Sequence, residues 1–452
     1  MDAVRGSIRQ DGKRVAIHPA DVRGRFTRAR NIGFFVLIAV YVALPWIPIG
    51  GHPAVFLDVD ARRFYLFGAT FNAQDVWMMV VLLLGAGLAL LTATALLGRV
   101  WCGYACPQTV FLESLYRPVE RWLLGSREKR IKGGRPLRTV IAHLAYVAIS
   151  LVLAHVLLAY FVSLPRLYAM VHDRPSAHPE AFALVMVVSG LLYGNFAWFR
   201  EQLCVVLCPY GRLQSVLVDE DSLIIGYDVK RGEPRGKVST AGAGDCVDCK
   251  RCVVVCPTGI DIRHGLQMDC IACAACVDAC DEVMVKLRRP TGLVRYDSQR
   301  GLRGEPKRIV RPRLVAYAAV LTVGAVVATF ALRGRRDFEA NLLRPVGTPF
   351  IVAEGQVRNS FNVHLVNKKP QRAAFAIQAA GAAEGVTVTL PVPRVELDSL
   401  TDRSVPVLVA VERARYRPGM TVRLRIGVEG EAEPRVLDAR ILGPVGMVGG
   451  AQ

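Results

Sequence analysis

Eight cysteines between Cys246 and Cys280 leave this stretch few ways to fold. They form two copies of one spacing: Cys246, Cys249, Cys252 and Cys256, the last followed by Pro257, then Cys270, Cys273, Cys276 and Cys280. Three thiols at two-residue gaps can curl round one iron–sulfur cube, while a fourth, after a longer gap, reaches across to a second. The spacing is that of a two-cluster ferredoxin. It predicts one [4Fe–4S] cluster held by Cys246, Cys249, Cys252 and Cys280, and another held by Cys270, Cys273, Cys276 and Cys256. Pro257 turns the chain away from the cube, and Asp281 stands where a proline would complete the second copy. Zinc ribbons usually pair CxxC units across a longer insertion, and disulfides would need an oxidising compartment.

The surrounding chain is not that of a soluble ferredoxin. Of its 452 residues 52% are apolar, and mean hydropathy is +0.32, which points to a membrane protein. Five apolar runs, at 33–49, 76–97, 140–164, 181–199 and 314–332, approach the length that about 30 Å of hydrocarbon requires. The net charge of +19 is distributed as a positive-inside bias rather than as a nucleic-acid surface. Lys and Arg number 8 in residues 1–32, 2 in 50–75, 9 in 98–138, 2 in 165–180 and 19 in 200–313. That alternation puts the N-terminus, the 98–138 loop and the cysteine-rich insert in the cytoplasm, and an odd number of spans puts the C-terminal region outside. Arg333, Arg335 and Arg336 run against the pattern. Residues 1–32 are polar, and Pro45 and Pro48, not a small-residue cleavage site, follow the first apolar run, so no cleaved signal peptide is expected. A reducing cytosol keeps thiolates free for iron, so compartment and motif agree.

The expected order is a basic N-terminus (1–32), four spans with a CxxxCP motif after the second (33–199), and a second CxxxCP motif with linker (200–240). The double-cluster domain (241–290) follows, with Gly242 and Gly244 as a flexible lead-in, then a basic linker (291–313), the fifth span (314–332) and a periplasmic domain (338–445). In the last, short alternating strands at 361–366, 374–379, 386–390, 405–411 and 421–428 lie between turn residues, which predicts an Ig-like β-sandwich. Its single histidine, His364, reads as a surface or packing residue.

The other four cysteines repeat as well. Cys102 and Cys106, before Pro107, follow span two; Cys204 and Cys208, before Pro209, follow span four. At i, i+4 both thiols of a pair would face one side of a continued helix. Glu113-Ser114 and Gln214-Ser215 beyond each proline suggest an internal repeat. If spans two and four pack together, four soft ligands converge, suited to Cu(I), zinc or a third cluster, or to cycling as disulfides. The plain alternative is buried thiols closing two helices, with each proline a helix stop. His143 and His155 in span three are ionisable intramembrane residues, for which a bond to a neighbouring carbonyl is the plain reading. Met78 and Met79 could pass copper through thioethers but suit packing, and His52, His172 and His178 fall in outer loops.

Together these features resemble the cytochrome c oxidase accessory proteins of the FixG/RdxA/CcoG type, over nearly all the chain, including Trp101–Pro107 and the 359–367 segment. The resemblance implies a polytopic α-helical membrane protein with five spans, a two-cluster ferredoxin-like insert and a C-terminal Ig-like sandwich, in the bacterial inner membrane. It implies two [4Fe–4S] clusters, and reduction of Cu(II) to Cu(I) for building cbb3-type haem–copper oxidase. Copper is then substrate or bound ion, with Cys102, Cys106, Cys204 and Cys208 as the copper-associated, catalytic thiols. Implied partners are membrane lipid, subunits of that oxidase or copper chaperones, an electron donor the residues do not identify, and a second copy in a homo-oligomer; nucleic acid is not among them. Two other readings fit the same motifs. One is a quinol-linked electron-transfer subunit serving a periplasmic reductase, and the other a non-enzymatic assembly scaffold.

Overall fold

The computed structural model describes residues 17–71, 75–132, 135–334, 337–369, 371–381, 384–399, 401–430 and 434–444. Residues 1–16 of the basic N-terminus, and Arg335 and Arg336, lie outside them. The chain divides into two compact units, 1–329 and 330–452.

Among the described residues five helices are long and apolar enough to cross a membrane: Arg25–Ala43, Trp77–Leu97, Pro136–Leu158, Pro179–Phe199 and Pro312–Arg333. At 1.5 Å per residue, 19 to 23 residues match the hydrocarbon thickness. Three begin on proline, whose missing N–H costs nothing at a helix start. The first span differs from its expected 33–49. It starts at Arg25 because the Asp278 carboxylate, from the cysteine-rich insert, accepts hydrogen bonds from the Phe26 amide (3.2 Å) and the Thr27 amide (2.7 Å). It stops at Ala43, just before Pro45. The third span ends at Leu158, and Leu164 opens a separate helix, Leu164–His172. The 50–75 loop holds a small three-stranded meander, Val55–Asp58, Arg63–Leu66 and Ala69–Phe71.

An antiparallel ribbon of Ile224–Tyr227 with Val294–Asp297 closes the cysteine-rich insert. The body is therefore wider than 241–290, and part of the expected linker belongs to it. Gly244 is no hinge: its amide donates to the Pro234 carbonyl at 2.9 Å and its Cα packs against Gly232. Inside, the two cysteine repeats share a backbone shape. Asp248 and Lys250 flank Cys249 at φ 50° and 54°, and Ala272 and Ala274 flank Cys273 at 51° and 58°. Non-glycine residues in this left-handed region cost about 1 kcal/mol or more each. Their recurrence at matched positions marks a loop shaped to wrap something. The helices Arg251–Val254 and Ala275–Lys286 begin directly after the second left-handed residue of each copy.

The second unit is a sandwich. One sheet runs Val386–Thr389, Asp402–Glu412, Gln356–Asn367, Phe338–Leu343, with Ile351–Ala353 also on Gln356–Asn367; the other runs Arg394–Leu397, Ala373–Gly381, Thr421–Val428, Arg435–Arg440. Inward residues alternate, as in Val357, Phe361, Val363 and Leu365, and meet Phe375, Ile377 and Leu424 in a continuous core. Buried Asn359, on an interior strand, ties its sheet to the segment after the last strand, donating to the Leu442 carbonyl and accepting from its amide, both at 2.8 Å. Among the described residues nine strands stand where five were expected. Of those missed, Ile351–Ala353 and Arg394–Leu397 are short, and Arg435–Arg440 carries three charges in six residues.

Candidate redox and metal centre

Two cavities lie in the insert. Cys246, Cys249, Cys252 and Cys280 line one, with Tyr227 and Met284; Cys256, Cys270, Cys273 and Cys276 line the other, with Ile262 and Ile271. These are the two crossed sets that the spacing assigns. Cys252 lines both cavities, so the two sites adjoin. All twelve cysteines are free thiols. Burial pushes the Cys252, Cys270 and Cys280 thiols up to about 12, so unliganded they stay protonated at neutral pH and metal must displace the protons. Among the described residues no three His, Cys, Asp or Glu side chains close round a single ion. Each cavity instead offers four thiols among mostly apolar walls, the donor set that a [4Fe–4S] cluster takes.

The CxxxCP motifs do not continue their spans. Gly98, at φ +59°, ends the second span, and its Cα lies so close to the Leu223 carbonyl that a Cβ would sit 2.1 Å from it. A short helix, Val100–Tyr104, follows, and Cys106 is the extended residue capping a new helix that begins with Pro107. Cys208 likewise caps Pro209–Leu217, while Cys204 sits in a π-helical turn, Leu203–Leu207. Both prolines thus start helices rather than stop them. The Gln108 and Thr109 amides at the new N-terminus face the Cys106 sulfur and oppose the upward push of burial.

The four motif thiols are mutual electrostatic neighbours. Burial, then the nearness of Cys106, Cys102 and Cys208, raises Cys204 to about 12; burial raises Cys102 to about 11 against a hydrogen bond to Gln214. Cys102 Sγ lies 3.5 Å from the Gln214 amide, so the second repeat touches the first. In the sequence Gln214 marks only the repetition.

The same motif packs on the insert. A Cβ on Gly103 would sit 2.7 Å from the Ile271 carbonyl and 2.9 Å from Cys273 Cα. The first CxxxCP turn therefore rests, backbone to backbone, on the Ile271–Cys273 segment that lines the second cavity. Arg99 spans the junction, donating to the Gly211 carbonyl at 2.7 Å and to the Met268 carbonyl. Arg30, buried in the first span, lies beside Cys273.

Sequence reasoning missed the charged network beside this junction. Arg117, 1% exposed, pairs with Glu113 and, at 3.5 Å, with Glu201, and donates to the carbonyl of Pro257, next to Cys256. Glu120 takes Arg200 at 2.9 Å and His18 at 2.8 Å. The readable signal was Glu113, Arg117, Glu120 and Arg121 at helical spacing just after an apolar span. The other candidates stand apart. His155 bonds its own helix at Leu151, His143 lies 3.0 Å from the Tyr193 hydroxyl, and His364 pairs with Asp402 at 2.9 Å. His172 bonds the Tyr168 carbonyl, His178 pairs with Asp173, and His52 stacks on Tyr65. Met78 and Met79 are at the far end of span two from Cys102, roughly 30 Å along the helix.

Three family models match: a 4Fe-4S binding domain over residues 78–131, a 4Fe-4S dicluster domain over 199–299, and the IG-like fold at the C-terminus of FixG over 328–444. The chain is 36% identical to Protein RdxA of Cereibacter sphaeroides, over 82% of this chain and 83% of that protein. It is 34% identical to the nitrogen fixation protein FixG of Rhizobium meliloti, over 84% and 81%. The ferredoxin-type protein NapH of Haemophilus influenzae is 26% identical over 58% of this chain and 89% of its own length.

Proposed function

The chain belongs to the FixG/RdxA family and is a membrane iron–sulfur electron-transfer protein, and from that premise we propose that it reduces Cu(II) to Cu(I) for building cbb3-type oxidase. One observation carries the reading: the backbone contact of Gly103 with Ile271 and Cys273, which seats the CxxxCP thiols against the second cavity.

In this reading Cys246, Cys249, Cys252 and Cys280 hold the first cluster, and Cys270, Cys273, Cys276 and Cys256 the second. The clusters, when bound, each supply one electron at a time. Cys102, Cys106, Cys204 and Cys208 take the copper substrate: thiolate softness favours Cu(I) over Cu(II), so the donor set itself pulls the ion toward its reduced form. Each Cu(II) takes one electron to become Cu(I). Copper displaces protons from these buried thiols. The Arg99 guanidinium, near Cys102 and Cys270, offsets the charge of several thiolates. The insert faces the cytoplasm, by the Lys and Arg alternation, and the sandwich faces the periplasm, where it meets oxidase subunits or a copper chaperone.

The test is anaerobic Cu(II) reduction by purified, dithionite-reduced and desalted protein, read with a Cu(I)-specific chelator. Reduction should need both the clusters and the membrane thiols. Wild-type rates from Cys102→Ser/Cys106→Ser and Cys204→Ser/Cys208→Ser proteins would mean that clusters leak electrons to copper without a built site, and the reading would fall.

A further inference from the structure

On the route proposed above, electrons leave the insert where the CxxxCP turn rests on Ile271 and Cys273, so they must enter it elsewhere. Burial singles out the place. Of the eight cysteines in the insert Cys249 alone is exposed; Cys246, Cys252, Cys273 and Cys276 are buried, and the others are half-buried. Electron transfer slows steeply with distance through protein, so the corner of the first set at Cys249 offers a carrier in solution its shortest approach. Cys252 lines both cavities, which leaves only a short step from the first set to the second. The charges near that corner are lopsided. Lys250, beside Cys249, is exposed and has no side-chain partner among the described residues, and the same is true of Lys237 and Arg288. Both of the latter are anchored next to the first set. The Gly236 amide, one residue from Lys237, donates to the Cys246 carbonyl at 3.2 Å, and Arg289, one residue from Arg288, donates to the Asp245 carbonyl at 2.8 Å. The carboxylates there are engaged: Asp245 pairs with Arg231, Asp248 with Arg263, Glu233 with Arg235 and Glu282 with Lys286, and Asp281 accepts from the Gly292 amide.

We propose that this face receives an acidic, soluble protein that carries one electron at a time, with Cys249 at the contact and Lys237, Lys250 and Arg288 as its electrostatic rim. The proposal rests on the cluster assignment and goes beyond copper: it names the class of donor, and it holds whatever the acceptor. A cube with four thiolates is itself anionic, so an acidic carrier would be repelled from an exposed one unless the rim carried spare positive charge. The three cations supply it, and such rim charges act mainly on the rate of encounter. In the transfer one electron leaves the reduced carrier for the first cluster; the carrier is oxidised by one equivalent, and no bond or proton moves.

The full-length protein in neutral detergent would be mixed anaerobically with an acidic plant-type [2Fe–2S] ferredoxin, reduced and desalted. Rapid-freeze electron paramagnetic resonance would separate the carrier's signal from those of the cubes. Binding of the two oxidised proteins would be measured by isothermal titration calorimetry, which needs no turnover. Wild type should bind and be reduced at low salt, and both should weaken as ionic strength rises to about 1 M, where charges are screened within about 3 Å. Lys237→Glu/Lys250→Glu/Arg288→Glu should lower affinity and second-order rate at low salt roughly tenfold or more, while dithionite still reduces it fully. Lys237→Gln/Lys250→Gln/Arg288→Gln should show a smaller loss. Equal binding and rates in wild type and the glutamate variant at low salt would overturn the proposal. So would a wild-type protein that ferredoxin leaves oxidised but that a reduced short-chain quinol analogue reduces, since electrons would then enter from the membrane. Copper is absent throughout, so failure here and failure of the copper site are separate results.

Discussion

Arg30 is the residue whose removal should speak most directly about the second cluster. It lies in the second turn of the first span, buried, with Nε and Nη1 unbonded, beside Cys273. A cation there stabilises the reduced, more negative cluster over the oxidised one, so it raises the potential. A guanidinium beside a ligand sulfur is roughly 6 Å from the cluster centre; at an effective dielectric of about 20 a unit charge then contributes about 2.8 kcal/mol. For a one-electron couple that is about 120 mV. Arg30→Met should therefore lower the potential of one of the two clusters by about 100 mV and leave the other within a small fraction of that. Arg30→Lys should keep most of the effect. The assay is a redox titration followed by electron paramagnetic resonance on the purified protein, with iron content confirming that both clusters are present. Equal potentials in wild type and Arg30→Met, at full iron content, would refute the argument and place Arg30 away from the cluster's field.

Three further outcomes follow from the same geometry. Cys249→Ser and Cys273→Ser should each remove about half the cluster absorbance; full absorbance in both would sink the crossed ligand assignment. Gly103→Ala puts a methyl 2.7 Å from the Ile271 carbonyl, where only backbone can yield, so it should cost about 1–3 kcal/mol of stability and slow copper reduction while both clusters remain; an unchanged rate would show that the contact does not matter. Burial pushes the Glu120 carboxyl up, but the His18 hydrogen bond and the Arg200, His18 and Arg130 charges outweigh it and hold it at about 2. A carboxyl depressed in the folded state contributes stability above its unfolded value and loses it as pH falls through the folded one. Wild type should therefore lose about 3 kcal/mol more than Glu120→Gln between about pH 4.5 and 2, and parallel acid melting curves would contradict the assignment.

What was legible in the sequence was what depends on local spacing. A thiol repeat with two-residue gaps admits few wrappings, so the crossed sets could be written down from the order of Cys246 to Cys280 alone, and the two cavities are lined by those sets. The spans were legible because hydrocarbon demands length and apolarity and little else. Their ends were not. Residues 25–32, with Arg25, Arg28 and Arg30, read as a polar tail until Asp278, about 250 residues away, supplies the cap that lets a helix start there. The i, i+4 spacing of the CxxxCP pairs likewise suggested a continued helix. Gly98 and the extended Cys106 break it because the turn must rest on the insert, a demand imposed by distant chain.

The same distinction explains why the charged network escaped notice. Each of Arg30, Arg99, Arg117 and Arg130 looked like one more residue of a positive-inside loop, and by composition it was. What makes them informative is burial: an exposed arginine costs nothing and needs no partner, whereas a buried one must find negative charge or lose several kcal/mol. Arg117 finds two carboxylates, and Arg30 lies beside Cys273. Arg99 finds backbone carbonyls, close enough to Cys102 and Cys270 to act on both. Three of the arginines that make up the charge pattern are thus held by packing against a thiol or its neighbour. On the orientation proposed above, the charges that orient the chain and those beside its redox centre are partly the same residues.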